Sequence, residues 1–354
     1  MNLRLLLTAS VTVTAGLSTL LAGGTSAAAM ALDPPPAVQP LGRYVAIGDS
    51  YSAGEGLAPY LPPTDSLIGC HRSNSAHGPL LAAGSPGTQF TFRACNGATI
   101  DDYAQVNTDT FPAEPAQATW LRTTDPDLVS VTLGGNDANW ARTLGACMRL
   151  EQAATGYVIL PGRFTDCETM LAIAPLVLAG VGQRLAATYQ DMLVSAPHAQ
   201  IRVLLYPPMF PDRAGRSTSC KLGSTTLGNV PVLLTLSAEH EARLVALQQQ
   251  LNGVIRAAVG YLHATDPSGA AASRLRLVDL EAAWGGYRDG HTVNCGDADR
   301  PKPWITTVAT GANGPKPPAT RQGGLDQLQL AALSAFHPTA YGQQMMAAAL
   351  AATR

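Results

Sequence analysis

Charge is scarce in this sequence and almost balanced. Only 14% of the 354 residues are charged, and the formal net charge is −2. Nucleic acids and anionic membranes are bound by clustered lysine and arginine, and this composition offers no excess of either. We therefore expect no nucleic-acid partner.

Recognised metal-binding spacings are also absent. The sequence has no C-x-x-C pair and no H-E-x-x-H segment. Its best zinc-binding alternative is the group Cys70, His71 and His77 in "CHRSNSAH". Nothing else in the chain strengthens that group, so we do not expect a metal site.

The N-terminal segment differs from the rest of the chain. Arg4 is followed by a long uncharged run and then by "AAAMALDPPP". A positive start, an apolar middle and small residues of the Ala-x-Ala type are typical of a secretory signal peptide. We predict a signal peptide over residues 1–31, cleaved after Ala29 or Ala31, and a proline-rich linker over 32–40. A retained membrane anchor fits less well, because glycines and threonines interrupt the run and no basic stop signal follows.

The six cysteines favour disulfides over metal ligation. Their number is even, and an exported chain folds in an oxidising compartment, although six cysteines have fifteen possible pairings. Sequential pairing is the simplest arrangement, since its first two bonds each close a loop of modest length. Its third bond would join the two long segments 207–234 and 284–325. Its pairs are Cys70–Cys95, Cys147–Cys167 and Cys220–Cys295.

Short apolar runs alternate with longer alanine- and leucine-rich stretches. The predicted strands are 44–48, 90–92, 128–135, 201–208 and 275–280, and the clearest predicted helices are 176–195, 238–262 and the C-terminal segment 339–354. This alternation predicts a parallel sheet with helices on both faces. The segments 207–234 and 284–325 are rich in Gly, Pro, Thr and Ser, which predicts long loops. With no internal repeat and no later boundary, we predict one domain over 41–354.

Polar turns follow three of the predicted strands. Ser50 follows the first strand in "GDSYSAGEG", Gly97 lies in "ACNGATI", and Asn136 lies in "LGGNDANW". In an open parallel sheet, ligands bind beyond the carboxyl ends of the strands. Acyl transfer needs a nucleophile, a base and donors aimed at the developing oxyanion. Ser50 could be the nucleophile, with its own amide, the Gly97 amide and the Asn136 side chain as donors. The structural alternatives are a helix cap for Ser50 and a turn residue for Asn136.

The base must be one of seven histidines. His337 lies in "SAFHPTAYG", before a proline that can open the last helix. A residue before proline is held extended, and a helix N-terminus disfavours imidazolium, so this ring would be fixed and neutral. A surface helix cap is the structural alternative. His291 in "YRDGHTVNC" is the other candidate. The remaining histidines have no convergent features: His71, His77, His198, His240 and His263.

Together these stretches resemble the SGNH (GDSL-type) hydrolases, in particular their secreted actinobacterial lipases and esterases. The similarity rests on "GDSYSAGEG", "ACNGATI", "LGGND" and "FHPTAYG", in that order, and extends over most of residues 42–354. The G-x-S-x-G signature is absent, which argues against an α/β-hydrolase. The resemblance implies a three-layer α/β/α sandwich with a five-stranded parallel sheet and long loops tied by three disulfides. It assigns the four family roles to Ser50, Gly97, Asn136 and His337.

One position departs from the family pattern. The family often has an aspartate three residues before the histidine, and here that residue is Ser334. We expect the backbone carbonyl of Ser334 to orient His337, with Asp326 as the alternative. A neutral carbonyl fixes the tautomer but stabilises imidazolium less than a carboxylate does.

These features predict an extracellular serine carboxylic-ester hydrolase, a lipase or esterase that forms an acyl-enzyme on Ser50. It would act as a monomer on a small-molecule or lipid ester, without cofactor, metal or stable membrane anchor. The second alternative is polysaccharide deacetylation, although the four tryptophans are scattered. The third is phospholipid hydrolysis or acyl transfer. The last is a non-catalytic secreted binding protein on the same scaffold.

Overall fold

Strands and helices alternate along the chain, as the sequence predicts. The computed structural model describes residues 40–152, 158–159, 166–227, 230–297, 300–307 and 335–353. Its strands are β1 (Arg43–Gly48), β2 (Gln89–Phe92), β3 (Leu128–Thr132), β4 (Arg149–Gln152), β5 (Val158–Ile159), β6 (Gln200–Leu204), β7 (Cys220–Leu227), β8 (Val230–Leu236) and β9 (Leu275–Val278). Its helices are α1 (Ser50–Ala53), α2 (His77–Ala83), α3 (Ile100–Ala104), α4 (Gln117–Thr124), α5 (Trp140–Cys147), α6 (Cys167–Ser195), α7 (Ala238–Thr265), α8 (Ala270–Arg274), α9 (Leu280–Ala283), α10 (Gly286–Asp289) and α11 (Ala340–Ala352).

Five of these strands form the central sheet, in the order β2–β1–β3–β6–β9, and every pair is parallel. Successive side chains of a strand point to opposite faces. In β1, Val45 and Ile47 belong to the core formed with α3, α4, α6 and α7. Tyr44 and Ala46 belong to the core formed with α2 and α11. Helices therefore cover both faces, and the three-layer α/β/α sandwich is confirmed.

The segment 207–234 is not a loop throughout, and that part of the sequence prediction is wrong. β7 and β8 pair antiparallel and belong to a second sheet with the order β5–β4–β8–β7. The glycine and threonine content suggested a loop, but Val232, Leu234 and Leu236 are buried. Burial of alternate apolar side chains is typical of a β-strand, and it outweighs the local composition.

Helix α6 begins nine residues earlier than predicted, at Cys167. Pro175 directly precedes the predicted start, and an interior proline removes a helical hydrogen bond. The proline instead lies inside the helix, and Asp166 caps the first turn by accepting from the amides of Glu168 and Thr169. By length and composition α6 could cross a membrane. Within this fold, however, residues such as Leu185 are fully buried in the core.

Three disulfides connect the loops around this framework. The bonded pairs are Cys70–Cys95, Cys147–Cys167 and Cys220–Cys295, which is the sequential arrangement. The zinc alternative is therefore wrong, because the sulfur of Cys70 is already bonded to Cys95. The nearby histidines also have other partners: His71 contacts Glu55, and His77 contacts Gln343.

Candidate active site

A pocket of about 520 Å³ opens beyond the carboxyl end of the parallel sheet. Turns that follow β1, β2, β3 and β6 reach it, together with the segment before α11. Most of its lining is apolar, and the apolar lining residues include Trp140, Leu144, Met148, Met209 and Leu251. Polar side chains such as Ser50, Asn136 and His337 line the same cavity. A larger open groove lies between α6 and α7, but its lining brings no serine and histidine together.

Ser50 and His337 meet at this pocket. The Oγ of Ser50 lies 2.8 Å from Nε2 of His337, although 287 residues separate them in sequence. Ser50 is the first residue of α1, directly beyond β1, and only 8% of its surface is exposed. The distance is that of a hydrogen bond between a hydroxyl and an imidazole nitrogen.

The backbone before Ser50 can be formed only by glycine. Gly48 has φ +119°, and a Cβ there would lie 2.3 Å from the carbonyl oxygen of Thr132. Asp49 then caps α1 by accepting from the amide of Tyr51 at 3.0 Å. The tight approach of β1 to β3 thus places Ser50 on a sharp turn at the sheet edge.

Three residues that can supply hydrogen-bond donors line the same pocket: Ser50, Gly97 and Asn136. The side-chain nitrogen of Asn136 donates to the carbonyl of Ala98 at 2.8 Å, which fixes the amide and leaves its second N–H available. Gly97 has φ +77°, and a Cβ would meet no atom within 4 Å, so backbone conformation alone requires glycine there. Among the described residues, neither the Ser50 amide nor the Gly97 amide donates to a protein acceptor. Both amides are free to bind an anion.

The other ring nitrogen of His337 contacts a backbone carbonyl. Nδ1 lies 3.0 Å from the carbonyl oxygen of Ala335. A carbonyl only accepts hydrogen bonds, so Nδ1 carries the proton, and Nε2 of the neutral ring is left to accept from Ser50. Ser334 and Asp326, the two orienting groups considered from sequence, lie outside the described residues.

The segment that carries His337 is held in an unusual conformation. Phe336 has φ +63°, which is costly for a bulky side chain. The Tyr51 hydroxyl donates to the carbonyl of Phe336 at 2.7 Å, and the amide of Thr306 donates to the carbonyl of His337 at 2.8 Å. Because Tyr51 follows Ser50 directly, the serine turn and the histidine segment are fixed to each other.

The serine turn is also linked to the asparagine turn, through a contact that the sequence analysis missed. The Tyr206 hydroxyl donates to the carboxylate of Asp49 and accepts from the amide of Gly135 at 2.9 Å. Thr132 also donates to Asp49, at 2.7 Å. Burial raises the pKa of Asp49 to about 6, although the hydrogen bonds from Thr132 and Tyr206 lower it. The available signal was that Tyr206 also follows a strand of the same sheet.

The other histidine candidate does not join this group. His291 stacks on Trp304 with ring centroids 3.6 Å apart, and its Nδ1 lies 2.7 Å from the carbonyl oxygen of Lys302. It does not line the pocket. His77 is fully buried, and burial lowers its pKa to about 4. The structure therefore brings Ser50, Gly97, Asn136 and His337 to one site.

The fold and the site together describe a three-layer α/β protein with a serine–histidine pair beside unpaired amides. A profile of the GDSL-like lipase/acylhydrolase family matches residues 46–345. The chain therefore belongs to the GDSL-like lipase/acylhydrolase family.

Individual relatives agree with this assignment. The chain is 35% identical to a lipase of Streptomyces rimosus over 173 residues, which are 47% of this chain and 53% of that protein. It thus spans about half the length of that relative. It is 32% identical to Lipase 2 of Streptomyces coelicolor over 266 residues, 74% of this chain and 80% of that protein.

Two solved structures are similar along most of the fold. The crystal structure of the extracellular lipase from Streptomyces rimosus has 26% identity and a TM-score of 0.55, and the match covers 88% of this chain and 100% of that chain. The crystal structure of phospholipase A1 from Streptomyces albidoflavus NA297 has 25% identity and a TM-score of 0.56, with 89% and 100% covered.

Proposed function

We propose that this protein is an extracellular serine carboxylic-ester hydrolase, a lipase or esterase. The observation that carries the proposal is the 2.8 Å contact between Ser50 Oγ and His337 Nε2 inside a largely apolar pocket. Family membership supports ester hydrolysis as the reaction. The names of the relatives, lipase and phospholipase A1, support a lipid ester as the substrate.

In the first step Ser50 attacks the ester carbonyl while its hydroxyl proton passes to Nε2 of His337. The Nδ1–H of the ring stays bonded to the Ala335 carbonyl, so the imidazole keeps its direction throughout. The protonated His337 then donates to the leaving alcohol. In the second step a water molecule attacks the acyl carbon while His337 takes its proton. The bond between the acyl carbon and Ser50 Oγ then breaks, the carboxylic acid leaves, and His337 returns the proton to Ser50.

The negative charge of each tetrahedral intermediate falls on one oxygen. The amides of Ser50 and Gly97 and the second N–H of Asn136 are the donors that hold it. A donor of this kind lowers the barrier by about 3 kcal/mol, or about a hundredfold in rate, because it is already oriented before charge develops. None of these steps calls for a metal or an organic cofactor.

The lining of the pocket favours an acyl chain over a sugar ring. The apolar surface of the pocket comes from residues such as Trp140, Leu144, Met148 and Leu251, and few polar groups line it besides the proposed catalytic residues. Burial of methylene groups there is favourable, whereas sugar hydroxyls would lose their hydrogen bonds to water. This observation supports lipid esters over polysaccharide acetyl groups as substrates.

Secretion is part of the same proposal. Three disulfides are typical of a protein that folds in an oxidising compartment. A structurally similar relative is described as extracellular. The signal peptide over 1–31 lies outside the described residues and stays a prediction, as does the monomeric state.

The test is hydrolysis of p-nitrophenyl esters of increasing chain length by the purified protein. Ser50→Ala should reduce kcat/KM by about ten-thousandfold or more, since the nucleophile is gone. Mass spectrometry of the quenched wild-type reaction should find the acyl group on Ser50. His291→Ala is the matched control and should keep its activity. Undiminished turnover by Ser50→Ala, or loss of turnover in His291→Ala alone, would refute the assignment.

A further inference from the structure

Three large apolar side chains are exposed together on two adjacent loops. Leu67, Ile68 and Phe111 are 50%, 57% and 68% exposed. The Phe111 amide donates to the Ile68 carbonyl at 3.1 Å, and the Ser66 hydroxyl donates to the Phe111 carbonyl. We refer to these three side chains as the apolar patch. Single exposed apolar residues are ordinary, whereas a contiguous group marks a surface that contacts something.

The loop that carries Leu67 and Ile68 is connected to the pocket through a disulfide. Cys70, two residues after Ile68, is bonded to Cys95 with their Cα atoms 4.1 Å apart. The Asn96 amide donates to the Cys70 carbonyl at 3.0 Å, and Asn96 and Gly97 line the pocket. Since consecutive Cα atoms are about 3.8 Å apart, Ile68 lies within about 16 Å of Asn96. A surface that covers the patch would therefore lie close to the pocket.

The charges on these loops are acidic. Segments 57–69 and 105–115 contain no lysine or arginine. Asp65 and Asp109 are exposed, whereas Glu114 forms an ion pair with Arg72 at 2.8 Å. Anionic lipids attract basic segments and would be repelled here. The charge thus fits a neutral or zwitterionic surface.

Several backbone groups of both loops are hydrogen-bonded within the protein. The Thr64 amide donates to Leu61, the Gly69 amide donates to Ser66, and Asn107 and Glu114 exchange two backbone hydrogen bonds. An unpaired polar group is costly in an apolar environment. These pairings reduce the number of bare backbone groups that the loops would bring into the interfacial layer of a lipid.

We propose that the apolar patch adsorbs this protein to a neutral or zwitterionic lipid–water interface and so brings the pocket to its substrate. This inference rests on the proposed function, because it takes the ester to be presented in a lipid aggregate. The patch would act as a shallow, reversible contact, since three side chains bury little area. Its removal should affect aggregated substrates and spare dissolved ones.

The binding test uses the Ser50→Ala protein, so that no lipid is consumed, and phosphatidylcholine vesicles in a sedimentation assay. Adding Phe111→Ser should lower the partition coefficient about tenfold, and Leu67→Ser with Ile68→Ser by a similar factor. Vesicles that contain phosphatidylglycerol should bind more weakly at low salt. The matched control is Leu176→Ser on α6, which removes a side chain that is 78% exposed and belongs to a different surface. This control should bind like its parent.

The activity test keeps Ser50 and compares one substrate class in two physical forms. Phe111→Ser should hydrolyse a dissolved short-chain p-nitrophenyl ester at the wild-type rate, which shows that the variant is folded. On an emulsified ester of low solubility it should be slower by about tenfold at low lipid concentration, and recover as lipid increases. A fall in both assays would overturn the proposal.

Other outcomes also decide the matter. The inference is wrong if Phe111→Ser binds vesicles like its parent, if Leu176→Ser loses as much binding, or if anionic vesicles bind better. It is also wrong if Phe111→Ser converts a dimer to a monomer in light scattering, because the patch would then contact a second copy. Normal hydrolysis of dissolved esters without vesicle binding rejects the surface and keeps the proposed function. If the protein binds vesicles through the patch but hydrolyses no ester, the proposed function is rejected and the lipid-binding surface is kept.

Discussion

Two histidines of this protein have similar surroundings and different hydrogen-bond partners. His71 stacks on Tyr60 with ring centroids 4.3 Å apart, and His337 lies 5.1 Å from the ring of Tyr51. Both depend on a left-handed backbone, at His71 itself and at Phe336 before His337. The contacts of the ring nitrogens differ.

Both nitrogens of His71 face acceptors. Nδ1 lies 2.6 Å from the carboxylate of Glu55, and Nε2 lies 2.8 Å from the carbonyl oxygen of Ser66. Burial lowers the pKa of this ring, but the hydrogen bond and charge of Glu55 outweigh that effect and raise it. A ring that donates on both sides joins loops and cannot accept a proton.

His337 donates on one side and faces a hydroxyl on the other. Its carbonyl contact at Ala335 leaves Nε2 as an acceptor for Ser50. Under the proposed function, the comparison teaches that a carboxylate partner does not by itself mark a histidine as the catalytic base. An accepting nitrogen that faces a nucleophile in a pocket is the more informative feature.

The largest expected difference is between alanine variants of the two histidines. His337→Ala should reduce kcat/KM for a dissolved ester by about ten-thousandfold, because Ser50 loses its base. His71→Ala should stay within about threefold at 25 °C, since its ring does not line the pocket. Steady-state kinetics on both proteins, with circular dichroism to verify folding, make the measurement. Comparable losses in two folded variants would break the distinction.

The second prediction concerns the carboxylate nearest to Ser50. Asp49 binds Tyr206 instead of a histidine, and Tyr206 in turn holds the amide of Gly135 next to Asn136. Asn136→Ala should lower kcat about a hundredfold. Tyr206→Phe should lower it about tenfold, with KM nearly unchanged, because the donor is misplaced rather than lost.

A double-mutant cycle separates positioning from general damage. If Tyr206 acts through Asn136, adding Tyr206→Phe to Asn136→Ala should cost almost nothing further. Fully additive losses would show that Tyr206 affects the site by another route. If the losses are not additive, Asp49 and Glu55 become directly comparable, since Asp49 would orient the ring of Tyr206 and Glu55 orients the ring of His71.

The sequence predicts much of the fold because its five apolar runs are local signals. It also brings the site residues to one edge, since Ser50, Gly97 and Asn136 each follow a strand of a parallel sheet. The second sheet was missed because β4 pairs with β8, more than 80 residues away, and such pairing is not visible in local composition. The Asp49–Tyr206 contact spans 157 residues and escaped for the same reason.

The carbonyl beside His337 could not be predicted for a different reason. Which carbonyl reaches Nδ1 depends on the backbone of Phe336, and φ +63° is not the conformation that a phenylalanine favours. That conformation is stabilised by Tyr51 and Thr306, which are distant in sequence. Local pattern therefore indicated the histidine, whereas its contact with Ala335 depends on these distant residues; the Ser334 and Asp326 predictions lie outside the described residues.

The smallest expected effect is on stability and concerns His71 alone. The pKa of His71 is raised in the folded protein, from an ordinary value of 6.5. Its contribution is therefore fully present below about pH 6.5 and disappears as pH rises through the raised value. His71→Gln should lower the free energy of unfolding by about 1 kcal/mol at about pH 6, and the difference should shrink by about pH 9.

Urea unfolding at several pH values makes this measurement, with Glu55→Gln as the matched variant. The two substitutions should show the same pH dependence, because each removes one half of the charged pair, while Asp65 adds a weaker attraction to the ring. A deficit that is constant with pH would mean that the pair stabilises through packing on Tyr60 and not through charge. In that case the two histidines would differ only in what their nitrogens face, and the carboxylate of Glu55 would have no electrostatic part in the contrast.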